Sequence, residues 1–114
     1  MNRSRMIYFV TLSSNASIVL RQAVDQSSQN EVFIFFDLYG SKVLDKRYLH
    51  ELKEKEAIDF SDLLHKALDK GVKLYGCQMN IMFQNGLECI DGVELAGVAT
   101  FLDLTYDADA VLSY

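Results

Sequence analysis

Two six-residue runs constrain the fold of this chain more than any other feature: MIYFVT at 6–11 and EVFIFF at 31–36. Both are apolar nearly throughout instead of alternating, and both are rich in β-branched and aromatic side chains. A strand covered on one face alternates apolar with polar residues; a strand covered on both faces reads as a continuous run. Each run is followed by a segment with a different period. After a Leu12-Ser-Ser-Asn15 turn, Ala16, Val19, Leu20, Ala23 and Val24 have helical spacing, which predicts a helix over 16–26. A third run, VKLY at 72–75, follows a clean helical stripe of Phe60, Leu63, Leu64, Ala67 and Leu68. Asp59 is placed to cap that helix and Gly71 to stop it.

The pattern continues to the last residues. Residues 77–85 read as a helix stopped by Gly86, and 87–92 as a connector. Residues 93–96 read as a short fourth strand, and 110–113 as a fifth. Residues 97–105 are apolar almost all round, which predicts either a buried helix or one packed at a subunit contact. Residues 45–56 are dense in alternating charge, with Tyr48, Leu49 and Leu52 as their only apolar face. They read as a short exposed helix or an irregular excursion. Alternating strands and helices predict an α/β protein with a mostly parallel five-stranded sheet and right-handed crossovers. With 114 residues, no repeat and no linker, one domain over 1–114 is expected.

Charge and composition exclude several functions. The net charge of −5 argues against nucleic acid as a partner, since phosphate binding needs a basic face. The start, MNRSRMIYFVTL, mimics a short signal peptide. Its apolar run contains a threonine, however, and no small-x-small site follows, so a first buried strand explains it better. No stretch approaches the ~18 apolar residues that span a bilayer. A cytoplasmic protein with reduced thiols is expected, with no membrane partner. His50 and His65 fall on predicted surface at no metal-binding spacing, so neither metal nor cofactor is expected.

In open parallel sheets, ligands gather at the carboxyl ends of the strands. Three segments land there: 12–15, 37–42 and 76–78. Cys77 falls where the third strand gives way to a predicted helix, whose unpaired N–H groups would favour a thiolate. Gly76 before it allows close approach to the backbone. The competing reading is a core cysteine, since free Cys is among the most buried residue types. Cys89 lies in an acidic connector between Glu88 and Ile90. It is either structural or a second relay thiol. Tyr39, beside Gly40 at the exit of the second strand, is either a pocket wall or an aromatic at a subunit contact. No Ser/His/Asp arrangement or phosphate loop is present.

Residues 71–100, GVKLYGCQMNIMFQNGLECIDGVELAGVAT, resemble the DsrE/DsrF-like family, and more narrowly its branch labelled "peroxiredoxin-like". The matching stretches are Gly76-Cys77-Gln78-Met79, Ile90-Asp91-Gly92-Val93-Glu94 and Gly97-Val98-Ala99-Thr100. Residues 35–40, FFDLYG, also resemble the family's Phe-Phe-x-Phe-Trp-Gly stretch, with Asp37 at a Thr-like position and Tyr39 at the tryptophan. The resemblance implies a three-layer α/β/α fold and association into homo-oligomers. It further implies a cysteine, matching Cys77, that accepts sulfane sulfur as a persulfide and passes it on. Gly76, Gln78, Tyr39 and Gly40 are then the candidate substrate-binding residues.

The expected function is a sulfur carrier or sulfurtransferase that takes sulfur on Cys77 as a persulfide or thiosulfonate, with donor and acceptor proteins as partners. The alternative is a non-catalytic oligomeric subunit that binds a ligand or partner. A thiol peroxidase is disfavoured. The chain has no proline, where about 5% is usual, and Cys77 has no arginine or threonine close by in sequence.

Overall fold

The computed structural model of the chain describes residues 4–37, 44–56, 60–77 and 90–114. The strands are β1 (Ser4–Val10), β2 (Asn30–Phe36), β3 (Lys73–Cys77), β4 (Val93–Ala96) and β5 (Ala110–Ser113). The helices are α1 (Ala16–Gln26), α2 (Lys46–Glu56), α3 (Phe60–Asp69) and α4 (Val98–Tyr106). The five strands form one sheet in the order β4-β3-β2-β1-β5, and every described pairing is parallel. The expected α/β architecture with a five-stranded sheet is therefore present.

The helices follow from the direction in which the chain crosses the sheet. From β1 through β2 to β3 the strands step one way. Right-handed crossovers then put the intervening helices on one face. Tyr8, Val10, Val32, Ile34, Phe36 and Leu74 point to that face. They pack with Val19, Leu20 and Ala23 of α1 and with Leu64 and Ala67 of α3. From β4 to β5 the chain crosses back, so α4 lies on the opposite face. There Phe101 and Leu104 pack on Ile7, Phe9, Phe33, Phe35, Tyr75 and Ala96. The result is three layers, α/β/α. The unbroken apolar runs that announced β1 and β2 are unbroken because each face has its own helical cover.

Local chemistry sets the element ends. Past α3, the Val72 N–H donates to the Ala67 carbonyl and the Gly71 N–H to the Leu68 carbonyl, both at 3.0 Å. This pair of bonds is the Schellman stop, and Gly71 supplies the positive φ of 86° that it requires. The charged stretch 45–56 is helical and not irregular. Its first turn is tied by the Arg47 N–H to the Asp45 carboxylate at 3.1 Å, and Leu49 is buried beneath it. The apolar segment expected at 97–105 is α4, and it is not a buried helix. Leu102 is 59% exposed and Tyr106 88%. One correction bears on function. Cys77 does not begin a helix; it ends β3, held in register with Ala96 of β4. The rest of the expected 77–85 helix, and the Asp59 cap, lie outside the described residues.

Two tyrosines respond to this packing. Burial raises the Tyr8 phenol above its usual pKa of 10.0, and the nearby Tyr114 adds to the shift. Burial also raises Tyr75, reinforced by Glu94 and Glu31 and opposed by Arg5. The unfolded chain releases these protons near pH 10, the folded chain only above it. The stability linked to the neutral rings is thus complete below that pH and is lost as pH rises through the folded values. Urea midpoints should fall above pH 10, in step with late-rising tyrosinate absorbance. A midpoint flat through this range would contradict the assignment.

Candidate functional site

Along β3, side chains alternate between faces. Leu74 points to the α1/α3 side, whereas Tyr75 and Cys77 point to the α4 side. Ladder pairing then fixes what stands beside Cys77. Phe36 is opposite Gly76, so the next position on β2's line, Asp37, is beside Cys77. The Asp37 N–H donates to the Val10 carbonyl at 2.9 Å, which carries the β1–β2 ladder one residue beyond β2. Asp37 is therefore held as an extension of the sheet.

These residues enclose a cavity of about 120 Å³, lined by Phe9, Phe35, Asp37, Cys77 and Phe101. It opens at the carboxyl end of β1, β2 and β3, the edge where ligands are expected in such sheets. Its walls are three phenyl rings in mutual contact. Phe101 from α4 stacks obliquely on Phe9 at 4.9 Å and meets Phe35 nearly edge-on at 5.1 Å. Behind them Tyr75 lies parallel to Phe35, with centroids 6.1 Å apart. Tilted and edge-on contacts at these separations are the arrangements that aromatic rings favour. The two polar groups of the lining are the Cys77 thiol and the Asp37 carboxylate, both half-buried.

Such a cup can present a sulfur nucleophile to a small molecule against apolar walls, with a carboxylate beside it. Cys77 is a free thiol. Among the described residues no group of three or more His, Cys, Asp or Glu side chains could hold a metal ion. No helix among them is long and apolar enough to cross a membrane.

The structure places Cys77 in the cavity and Gly76 buried one step before it, paired with Phe36 and Leu95. Gln78, Tyr39, Gly40 and Cys89 lie outside the described residues. The sequence brings Asp37 to this edge within the 37–42 segment but gives it no role there, and it does not single out Phe9, Phe35 or Phe101. For the first three a signal was available. Once parallel strands are registered, residues ending adjacent strands with the same parity must share a face. Phe101 depends on where α4 lands, which no local pattern discloses.

A small parallel α/β domain with a thiol at the carboxyl edge of its sheet defines the class. The particular family follows from comparison. The sequence profile of the DsrE/DsrF/DrsH-like family matches residues 42–112, and the chain belongs to that family. Its fold is similar to that of the YchN protein from E. coli in a crystal structure. The TM-score is 0.78 at 20% sequence identity, over 99% of this chain and 100% of that one. No curated protein matches the sequence significantly.

Proposed function

We propose that this protein is a sulfur carrier of the sulfurtransferase type, with Cys77 as the residue that is loaded. The observation that carries the reading is the thiol itself. It opens into a phenyl-walled cavity at the carboxyl edge of the sheet, beside a carboxylate. The family and the fold support the same reading. In the loading step the Cys77 thiolate attacks the outer sulfur of a donor R–S–SH. The new S–S bond gives Cys77–S–SH, and the old one breaks with its electron pair leaving on R–S⁻. A thiolate on an acceptor protein then attacks the outer sulfur and restores Cys77. Donor and acceptor proteins are thus the expected partners. A homo-oligomer is proposed on the exposed apolar side chains of α4, Leu102 and Tyr106.

That same exposure favours a second reading, a non-catalytic subunit whose role is assembly. One experiment separates the two. The protein is incubated with an organic hydropersulfide and its intact mass is measured. Wild type is expected to gain the mass of one sulfur atom, and Cys77→Ser to gain none. No gain on wild type, or an equal gain on the variant, would overturn the carrier reading and leave the subunit reading.

A further inference from the structure

At β5 the sheet ends in an unguarded margin. β5 is an edge strand, with β1 on its inner side. Edge strands are normally blunted by charges, prolines, bulges or a covering segment. β5 carries no charge and no proline, and its pairing with β1 runs from Ala110 to Ser113 without a bulge. Its side chains are open on both sides of the sheet. Val111, beside Ile7 on the α4 face, is 44% exposed, and Leu112, beside Tyr8 on the α1/α3 face, is 37% exposed.

Hydrogen bonds at the end of the strand show which backbone groups face β1. The Tyr114 N–H donates to the Phe9 carbonyl, and the Tyr114 carbonyl accepts from the Thr11 N–H, both at 2.8 Å. Tyr114 thus turns both groups toward β1. By the alternation of the ladder Leu112 does the same, and Val111 and Ser113 turn theirs outward. Exposed apolar surface continues beside the strand. The Tyr114 hydroxyl donates to Oε1 of Gln22 at 3.1 Å, which places that stripe of α1 next to β5. Ile18, one turn before Gln22 on the same stripe, is 50% exposed.

We propose that β5 pairs antiparallel with β5 of a second copy of this chain, about a two-fold axis at Leu112, so that two five-stranded sheets become one. A two-fold interface must match itself, and this edge does. With the axis at Leu112, Val111 of each chain stands opposite Ser113 of the other, and their outward N–H and carbonyl groups exchange hydrogen bonds. Leu112 then meets Leu112 as a non-hydrogen-bonded pair, the kind in which side chains come closer. The charges fit as well. Asp107 and Asp109 precede the strand, and residues 110–114 carry no charged side chain. Antiparallel pairing therefore holds the two Asp109 residues about 20 Å apart, at ~3.4 Å per residue, roughly twice the screening length at physiological salt. A parallel arrangement of the two copies would bring them side by side. The association goes beyond the sulfur-carrier reading and is independent of it, and it uses the strand edge, not the outer side of α4.

Sedimentation velocity tests the seam. The wild type should contain an even number of chains of 13.0 kDa each. Leu112→Lys sets two ammonium groups against each other at the axis. Ser113→Pro removes an outward N–H and leaves the donors that bond β1. Each variant should halve the particle, raising the dissociation constant roughly tenfold or more, and should keep the wild-type far-UV circular dichroism. A second measurement does not depend on how the edge variants fold. Leu112→Cys in a Cys77→Ser, Cys89→Ser background should cross-link to itself when oxidised with diamide. Glu51→Cys, an exposed site on α2, is the control and should not. An odd number of chains, a wild type that stays monomeric at every concentration, particles unchanged in both edge variants, or no cross-linking at 112 above the control would each overturn the proposal.

Discussion

Replacing Phe36 by alanine is expected to lower the free energy of unfolding by about 3–5 kcal/mol. Phe36 ends β2, the central strand of the sheet, with β1 paired on one side and β3 on the other. Its ring is fully buried among Val10, Leu20, Leu44 and Leu64 on the face covered by α1 and α3. Removing it leaves a cavity between a sheet and helices that cannot close without breaking ladder bonds, so relaxation is limited. Domains of this size have total stabilities of roughly 5–15 kcal/mol, and the loss is a large part of that. The midpoint of thermal unfolding should fall on the order of 12–20 °C. Leu112→Ala is a fitting control. That side chain lies on the outermost strand and is 37% exposed, and its removal should cost far less. Equal losses for the two variants in urea denaturation would mean that the α1/α3 face is packed no more tightly at the central strand than at its edge.

Gly92→Ala should be the second most damaging simple change, at about 2–4 kcal/mol, and for two separable reasons. Gly92 has φ of 91°, which side-chain-bearing residues rarely adopt, and a Cβ there would stand 2.9 Å from Cδ1 of Leu68. Gly71 has nearly the same φ, 86°, with nothing within 4 Å of the corresponding position. Gly71→Ala therefore reports the backbone cost alone, about 1–2 kcal/mol. The difference between the two glycines measures the contact with α3. Leu68→Ala should recover about 1 kcal/mol of the Gly92→Ala loss, as a coupling energy in a double-mutant cycle. Strictly additive losses would show that Leu68 moves aside freely, leaving only backbone strain.

Much of this fold could be read from spacing alone. α1, β4 and β5 match the sequence-based segments residue for residue, because each is bounded by turn chemistry and filled with one period. β3, read as 72–75, runs from Lys73 to Cys77, so the reading begins one residue early and stops two residues before the strand ends. Gly76 and Cys77 resemble a turn in composition, and what keeps them extended is pairing with Phe36, Leu95 and Ala96, partners distant in sequence. The same cause hid the chemical setting of Cys77. The helix expected to start beside it falls on residues outside the described ones, and its described neighbours are Asp37 and the rings of Phe9, Phe35 and Phe101. Residue type and strand position located the thiol, and the register between strands supplied its surroundings. α4 shows a further limit. Its apolar composition allowed burial or assembly, and only its placement on one face revealed that Leu102 and Tyr106 stay uncovered.

The sheet order also dictates a sequence of events in folding. β5 joins the ladder beside β1, with Met6 opposite Ala110 and Phe9 opposite Ser113. The Thr11 N–H and the Tyr114 carbonyl close that seam at 2.8 Å. Bringing together residues about a hundred positions apart incurs a large loop-closure entropy, repaid only when the intervening chain is already compact. β1, α1 and β2, which are close in sequence, carry no such penalty and can form the nucleus. The outer flank of β1 must therefore wait, unpaired, until nearly all the other elements are in place. A ribosome that has not yet released residue 110 holds a sheet whose β1 margin is still open, and this margin is where a nascent chain of this protein is most exposed to joining the wrong strand.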